Sequence, residues 1–458
     1  MAAGVKGIRV YLDRRPREYA ESITRFQDVH LAAVGELESS FRGELELYES
    51  GVYSTERGEG GEEERWEWWE LSQGVEACCL LRSEWSEYIG SAPNSEPETY
   101  HAPLTEYQEG LSKGYTEFRR IYDEQYRLLQ HGTYANTLAA AVARMPNARS
   151  LGFFEYDKPT EMELEDSLVT SDYEALSQLI TRPLELEAIL AEGEGAIASE
   201  DCTLAWELPI ALHKAGVGLA QVDLRFCLQY RSFSALNPPN QTPADHPAPA
   251  AWDDLAATYQ NLESFDMGVT VLAPNVPKVK TPDIDNFLGA ILSRCGPHLR
   301  LLRIDFTNVA RGGYGVVGDY NTGPFLRTLP ALPRIRELSL NSLALPHAAL
   351  DAFCRGLGSE LAYLAMFDVW LQGGDWADIV DTLRGKMATT RSRGAVECVF
   401  NGLLGGEFMG VVEPAVLGDG EVDEYEVNRG EMHQELVDAV EGYVQGLLDE
   451  NPLRNGGR

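Results

Sequence analysis

The chain has 458 residues, 44% of them hydrophobic, so it can bury a large apolar surface in two domains or in one elongated repeat array. It carries 72 acidic and 38 basic residues, and the resulting net charge of -34 repels nucleic-acid phosphates and anionic lipid headgroups. We therefore expect neither nucleic-acid nor membrane-surface binding. No stretch of the sequence has the length and hydrophobicity of a signal peptide or transmembrane helix, which predicts a cytoplasmic or nuclear protein.

The seven cysteines are scattered through apolar surroundings and are odd in number, unlike the cysteines of a secreted disulfide framework. We expect reduced, buried thiols. A zinc site would need ligands paired at short, fixed spacing, and the adjacent Cys78 and Cys79 have neither a C-x-x-C partner nor a nearby histidine pair. The sequence therefore predicts no metal site and no bound cofactor.

Residues 1–115 are predicted to form a mostly helical N-terminal module. Its opening strand-like run has apolar residues at Val5, Ile8, Val10 and Leu12. Helical and acidic sequence follows, and residues 56–70 surround Trp66, Trp68 and Trp69 with glutamates. Tryptophan is enriched among interface hot spots, so we consider two interpretations of these three side chains: packing within the module, or anchors for a basic partner surface.

Residues 110–114 match the G-x-S-x-G pattern of a hydrolase nucleophile, with Ser112 at the centre. The pattern is functional only where a strand enters a sharp turn. Here the residues on both sides favour a helix, because Phe118 and Tyr122 continue at helical spacing. We expect Ser112 to be structural; the alternative, a hydrolase that uses Ser112, predicts loss of turnover when this residue is replaced by alanine.

From residue 116 onward one phrase recurs, an apolar helix followed by a turn and the pattern apolar-x-x-apolar-x-apolar. Its clearest copies begin at Ala148, Leu219, Leu262, Leu299, Ile335 and Leu361. The alternation in each copy is typical of a strand with one buried face, which needs a neighbouring repeat to cover it. The sequence therefore predicts an α/β fold, in which residues 116–410 form an irregular leucine-rich-repeat solenoid with a curved parallel sheet and outer helices.

Residues 411–458 are predicted to close this array. Apolar residues recur there at helical spacing, at Leu436, Ala439, Val440, Tyr443, Val444 and Leu447. The last repeat of a solenoid needs a cap over its exposed apolar face. We expect this amphipathic helix to supply it, before a loose C-terminal tail.

Three of these phrases carry a family resemblance: residues 5–10, residues 145–151 (Met-Pro-Asn-Ala-Arg-Ser-Leu) and residues 332–340 (Leu-Pro-Arg-Ile-Arg-Glu-Leu-Ser-Leu). They resemble the divergent leucine-rich-repeat proteins of filamentous fungi that form an F-box-like family. The resemblance implies a substrate-receptor role for the repeats and docking on the Skp adaptor of a cullin ligase. The F-box itself, a helical motif that opens with Leu-Pro and a glutamate, has no counterpart before Val5, so the chain either begins after that motif or has lost it.

We expect a non-enzymatic protein-interaction scaffold. Exposed strand and loop positions of a repeat array can vary without disturbing its apolar ladder. The positions that we select as the candidate binding site are Arg303, Asp305, Asn308, Glu337, Ser339, Asn341 and Asp368.

Two alternatives remain besides the Ser112 hydrolase. Residues 313–318 satisfy G-x-G-x-x-G, the fingerprint of a dinucleotide-binding loop, which would make the chain a nucleotide-cofactor enzyme. The residues that follow this loop are turn formers and do not open a helix, and this favours a flexible loop between repeats. The other alternative is a purely structural domain left by a degraded F-box gene.

Overall fold

The computed structural model describes fourteen stretches of the chain. They are residues 4–12, 17–50, 68–89, 104–129, 133–155, 203–228, 236, 249–271, 282–295, 297–306, 326, 331–391, 396–408 and 424–455. The chain divides into two compact units, each of which is discontinuous in sequence. The sheet unit comprises residues 1–12, 132–155 and 199–458, and the helical unit comprises residues 13–131 and 156–198.

The helical unit contains four described helices. They are α1 (Arg17–Glu21), α2 (Ile23–Glu49), α3 (Trp68–Ile89) and α4 (Glu106–Leu129). Ser22 begins α2 as its N-cap, because its hydroxyl accepts a hydrogen bond from the Arg25 N–H at 3.3 Å. One face of α2 is buried against the other helices through residues spaced three to five apart, namely Phe26, Val29, Val34, Leu37 and Phe41.

The sheet unit is built on eight parallel strands whose order in the sheet is their order in the chain. They are β1 (Gly7–Leu12), β2 (Ser150–Glu155), β3 (Gln221–Leu228), β4 (Ser264–Val271), β5 (Leu301–Asp305), β6 (Glu337–Asn341), β8 (Tyr363–Phe367) and β10 (Glu397–Asn401). A second parallel sheet contains β7 (Ala344–Pro346), β9 (Trp370–Gln372) and β11 (Leu404–Gly405). The predicted mixed α/β architecture with a parallel sheet is confirmed.

Eight described helices accompany these strands. They are α5 (Thr133–Val142), α6 (Leu204–Lys214), α7 (Pro249–Thr258), α8 (Pro282–Cys295), α9 (His347–Gly356), α10 (Trp376–Arg391), α11 (Glu424–Gln445) and α12 (Pro452–Asn455). Within the described parts, α5 to α8 contact one another in chain order, and so do α9 to α11. Strands that advance in one direction through right-handed connections place their helices on one face of the sheet.

The helix-facing side of the sheet is an apolar ladder. Its members are no more than 2% exposed: Leu151, Phe153, Val222, Leu224, Phe265, Met267, Leu302, Ile304, Leu338, Leu340, Leu364, Met366, Cys398 and Phe400. Burying a side chain of this size stabilises the fold by about 1.5–3 kcal/mol. All of them except Cys398 and Phe400 lie in the six predicted copies of the repeated pattern. Cys398 and Phe400 belong to β10, a strand that was not predicted from the sequence.

The starts of the strands repeat one hydrogen-bond arrangement. The carbonyl of Arg149 accepts the N–H groups of Ala220 and Gln221, at 2.8 and 3.1 Å. The carbonyls of Ala220, Glu263, Arg300 and Arg336 each accept two N–H groups from the next strand in the same way. This repetition holds successive strands in one register, so equivalent residues form straight rows across the sheet.

The turns after β6, β8 and β10 also repeat one backbone conformation. Ser342, Asp368 and Gly402 occupy equivalent positions and have positive φ angles of 56°, 49° and 62°. Ser342 and Asp368 are therefore in the left-handed region that most side chains avoid. A Cβ atom at Gly402 would collide with the carboxylate of Asp368, so this position requires glycine.

The structure divides the chain differently from the predicted boundary at residues 115 and 116. The opening run forms β1, which pairs with β2 and so belongs to the sheet unit. Helix α4 continues through the predicted boundary to Leu129 and belongs to the helical unit. The local pattern near residue 8 identified a strand but carried no information about its partner, which lies far along the chain.

Candidate functional site

We define the open face of the eight-stranded sheet as the side opposite the apolar ladder. Three rows of residues cross it in register, and the row at the amino ends of the strands contains Gly7, Ser150, Gln221, Ser264, Leu301, Glu337, Tyr363 and Glu397. The central row contains Arg9, Gly152, Asp223, Asp266, Arg303, Ser339, Ala365 and Val399. Toward the carboxyl ends of the strands, a second row contains Tyr11 and Phe154 and, from β3 onward, Arg225, Gly268, Asp305, Asn341, Phe367 and Asn401.

A ladder of alternating charges spans β3 to β6 on this face. The guanidinium of Arg225 contacts Asp223 at 3.0 Å and Asp266 at 2.7 Å. Arg303 then bridges Asp266 at 3.8 Å and Glu337 at 3.4 Å. The two arginines and Glu337 are 40–46% exposed, whereas the Asp266 side chain is only 13% exposed. Asp266 is therefore the buried centre of the ladder, which we call the charge ladder.

The surroundings of the Asp266 carboxylate affect both its pKa and its contact with Arg225. Burial raises its pKa, and the neighbouring guanidiniums of Arg225 and Arg303 act in the opposite direction by stabilising the charged form. Arg225 reaches across β4 because residue 268 is glycine: a Cβ there would lie 2.6 Å from Nη1 of Arg225. Because Gly268 has no side chain, Arg225 on β3 can contact Asp266 on β4, and Arg303 on β5 contacts the same carboxylate.

Beyond the charge ladder, the second row contains polar and aromatic side chains on β5, β6 and β8, and we call this part of the open face the polar corner. Asp305 on β5 stands in register with Asn341 on β6, and Asn341 with Phe367 on β8. Asp368 is the residue immediately after Phe367 in the sequence. Burial raises the pKa of Asp368, and the nearby carboxylate of Asp305 raises it further. This corner is therefore electronegative, and a cationic group would relieve the repulsion between its two carboxylates.

The other end of the open face is aromatic and basic. The guanidinium carbon of Arg9 lies 5.4 Å from the centre of the Phe154 ring, a cation–π contact. Tyr11 also lies beside Phe154, with ring centres 6.1 Å apart, and is 47% exposed. Arginine and tyrosine are among the residues most often found at interface hot spots.

The structure brings together most of the side chains that the sequence singled out. Arg303 and Asp305 are adjacent to Glu337, Ser339 and Asn341 on the open face. Asp368 follows the next strand. Asn308 lies outside the described residues, as do Trp66 and the glycine loop 313–318. Trp68 and Trp69 belong to α3, but their side chains are not among those described.

Arg225 and Asp266 were not predicted from the sequence, although Asp266 contacts both Arg225 and the candidate residue Arg303. A signal for Asp266 was present. Aligning the copies that begin at Leu219, Leu262 and Leu299 places Asp223, Asp266 and Arg303 in one row. The repeats are defined by their apolar positions, which carry no information on these cross-strand charge pairs.

The described residues offer few features of a catalytic centre. Ser112 lies within α4, and its carbonyl accepts the Thr116 hydroxyl at 2.8 Å, so it is not on the strand-to-helix turn of a nucleophile elbow. No group of three or more His, Cys, Asp or Glu residues that could hold a metal ion occurs in the described stretches. A groove of 410 Å³ lies at the amino ends of β2 and β3, lined in part by Arg149, Glu263 and His298.

The five described cysteines are free thiols, and four of them are buried. Burial raises the pKa of Cys295 and of Cys354 to about 12, so both thiols stay protonated at neutral pH. Cys79 is the exposed member, with its sulfur 3.4 Å from Oε1 of Glu38. The expectation of buried thiols is thus confirmed for all of these cysteines except Cys79.

None of the described helices combines the length and the hydrophobicity that crossing a bilayer requires. Comparisons with protein-family models, with curated proteins and with solved structures find no match for this chain.

Proposed function

We propose that this chain is a protein-interaction scaffold and that the open face of the sheet is its binding surface. The observation that carries the proposal is the one-sided burial of the sheet. Alternate strand residues are buried against the helices, whereas Arg303 and Glu337 between them are about half-exposed; Ala365 on the same face is buried. Parallel sheets usually have both faces covered. A parallel sheet with one polar, accessible face is suited to binding another protein.

The composition of the open face supports recognition more than stability. An ion pair between exposed side chains contributes about 0–1 kcal/mol to folding, so the pairs of Arg303 with Glu337 and of Arg225 with Asp223 add little to the stability of the sheet. Complementary charges at an interface do contribute to partner selection and to the rate of association. The aromatic groups at the two ends, Tyr11 and Phe367 among them, supply apolar anchors on either side of the charge ladder.

We further propose that the sheet unit is an irregular leucine-rich-repeat solenoid. Support comes from strands that follow chain order, from the repeated two-donor carbonyl at the strand starts, and from the repeated left-handed turn at Ser342, Asp368 and Gly402. Repeats of this kind leave one face of a stacked sheet available for partners.

In this proposal the chain acts as a substrate receptor of the F-box and leucine-rich-repeat type, in the cytoplasm or the nucleus. The open face would select a protein substrate, and the Skp adaptor of a cullin ligase would be a second partner. The support for this part is the sequence resemblance of residues 5–10, 145–151 and 332–340.

The test is affinity capture with mass spectrometry, using the intact chain and two charge-matched variants. The face variant carries Asp305→Lys and Glu337→Lys. The control variant carries Glu435→Lys and Asp438→Lys, two exposed carboxylates of α11 that produce the same change in net charge. We expect the control to retain the specific partners and the face variant to lose them, because reversing both charges places like charges against a matched partner surface.

The outcomes separate the parts of the proposal. Equal capture by the two variants would contradict binding through the open face. Capture of the Skp adaptor and cullin together with face-dependent partners would support the receptor role. Face-dependent partners without ligase components would support a free-standing scaffold, and no specific partner at all would favour the purely structural domain.

A further inference from the structure

The outer edge of β1 carries backbone groups that no described residue pairs with. The Lys6 carbonyl accepts the N–H of Ser150 at 3.3 Å, and Ile8 stands in register with Leu151. In a parallel ladder, alternate residues direct both backbone groups to the same neighbour, so Lys6 and Ile8 face β2. Gly7, Arg9 and Tyr11 therefore direct their N–H and C=O groups away from the sheet. Within the described parts of the chain, no residue forms a hydrogen bond with these outward groups.

The opposite edge of the same sheet is closed. On β10 the outward N–H of Phe400 donates to the carboxylate of Glu441, and the outward carbonyl of Cys398 accepts from the Gln445 amide at 2.9 Å. Both side chains come from α11. Free edge groups are a template for pairing with another strand, and folded proteins commonly cover them. The β1 edge thus differs from β10 in offering its donors and acceptors to an added strand.

The charges around β1 indicate which strand would fit. Lys6 and Arg9 on this edge and Arg149 beside it are all exposed, in a chain whose net charge is -34. An acidic segment would meet opposite charges here. A second copy of β1, paired antiparallel around Arg9, would place the two Arg9 side chains directly opposite each other, which is unfavourable.

We propose that the β1 edge binds an extended acidic segment of a partner protein as an additional strand of the sheet. Backbone hydrogen bonds to Gly7, Arg9 and Tyr11 would supply affinity, and Lys6 and Arg9 would select acidic side chains. This site goes beyond binding through the open face. Arg9 and Tyr11 belong to both surfaces, so the test compares Tyr11→Pro with Tyr11→Ala, which lose the same ring and differ in the backbone N–H of the β1 edge.

The probe is a fluorescein-labelled peptide of about ten alternating Glu and Val residues, a length that covers one strand. Fluorescence anisotropy measures its binding to the full chain at low ionic strength. Tyr11→Pro removes one outward N–H donor without altering a bond to β2. Tyr11→Ala is the matched control, because it removes the same ring and keeps the N–H. We expect Tyr11→Pro to bind the peptide roughly five- to tenfold more weakly than Tyr11→Ala.

A second pair of variants tests the charge selection. Arg9→Glu should weaken binding of the Glu–Val peptide roughly tenfold, and it should favour the matching Lys–Val peptide. Arg336→Glu is the control, since Arg336 is an exposed arginine of the same sheet that precedes β6. Equal losses in both variants would overturn the site, because they would show attraction to the overall field of the protein only.

Hydrogen exchange supplies a readout that does not depend on any substitution. We expect the Glu–Val peptide to slow exchange of the Arg9 and Tyr11 amides while leaving β6 unchanged. No protection at β1, or equal binding by Tyr11→Pro and Tyr11→Ala with unchanged melting temperatures, would overturn the proposal. Concentration-dependent dimerisation that Tyr11→Pro abolishes would overturn it in favour of pairing between two copies of the chain.

Discussion

The two ends of the eight-stranded sheet are built differently. At the β10 end, α11 places Glu441 and Gln445 against the outward backbone groups of the strand. At the β1 end, no described residue meets the corresponding groups. Closing a sheet edge therefore needs more than an apolar cover, because the side chains that face the edge must also match its donors and acceptors.

At the β10 end, α11 also packs against the neighbouring helices. Val437, Val440 and Val444 of α11 are fully buried. The Tyr443 hydroxyl donates to Asp381 of α10 at 2.7 Å, and the Arg454 guanidinium contacts the same carboxylate at 2.6 Å. Apolar burial and polar contacts thus act together, and the comparison can be tested by removing one of them at a time.

The largest effect is expected from Val440→Asp, which puts a charge under α11 and makes the β10 end resemble the β1 end. An unpaired buried carboxylate should lower the free energy of unfolding by about 3–5 kcal/mol. Denaturation by urea, followed by circular dichroism, measures this. The control is Leu447→Asp, because Leu447 lies just beyond α11 and is 77% exposed. Comparable losses in the two variants would contradict the assigned burial of α11.

The position of this cap was only partly predictable. The helical spacing from Leu436 to Leu447 correctly predicted an amphipathic helix. Its buried stripe includes Val437 and excludes Leu447, because α11 ends at Gln445 and Gly446 turns the chain with a φ of 71°. Apolar residues on both sides of that turn had been assigned to one continuous helix. A glycine so close to the end of a helical pattern was the signal for its termination.

The sheet itself followed from a local pattern, and its pairing did not. Alternation around Leu302 and Leu338 predicted strands because one face had to be buried. The partners of Arg303 depend on register, and Asp266 and Glu337 lie on two different neighbouring strands. Strand β10 was missed because its phrase is built on Cys398 and Phe400 and not on leucine. Its helix-to-strand context has the same form as in the other copies.

An intermediate effect is expected from Gln445→Leu, which keeps the bulk of the side chain and removes its donor. The outward carbonyl of Cys398 then loses its partner under α11, at an expected cost of about 1–2 kcal/mol. The control is Gln434→Leu, an exposed position on the same helix whose side-chain amide donates to Asp438. If both variants unfold at the same urea concentration, the polar half of the cap contributes nothing measurable.

The smallest effect concerns the charge of Glu441, and a second glutamate makes it interpretable. Glu38, in the helical unit, contacts Arg82 at 2.6 Å and Arg42 at 2.8 Å. Hydrogen bonds from these two guanidiniums lower the pKa of Glu38 to about 2. Glu441 meets a backbone N–H and no described cation; burial raises its pKa, and Asp438 raises it further. The two carboxyl groups should therefore make folding depend on pH in opposite directions.

For Glu38 the unfolded chain binds a proton more readily than the folded one. Its contribution is therefore complete above the ordinary carboxyl pKa, and it is lost as the pH falls toward 2. Glu38→Gln should cost about 1 kcal/mol at pH 7, limited by the exposure of both arginines, and the cost should vanish near pH 2.

For Glu441 the folded chain binds the proton more readily, so the wild type loses stability as the pH rises. Glu441→Gln keeps an acceptor for Phe400 and should be more stable than wild type at pH 7 by roughly 0.5 kcal/mol, with no difference near pH 3. Urea denaturation between pH 2 and pH 7 compares the two variants with wild type; a loss of stability at pH 7 in both would show that the charge of Glu441 stabilises its contact with Phe400, which contradicts the raised pKa of this carboxyl group.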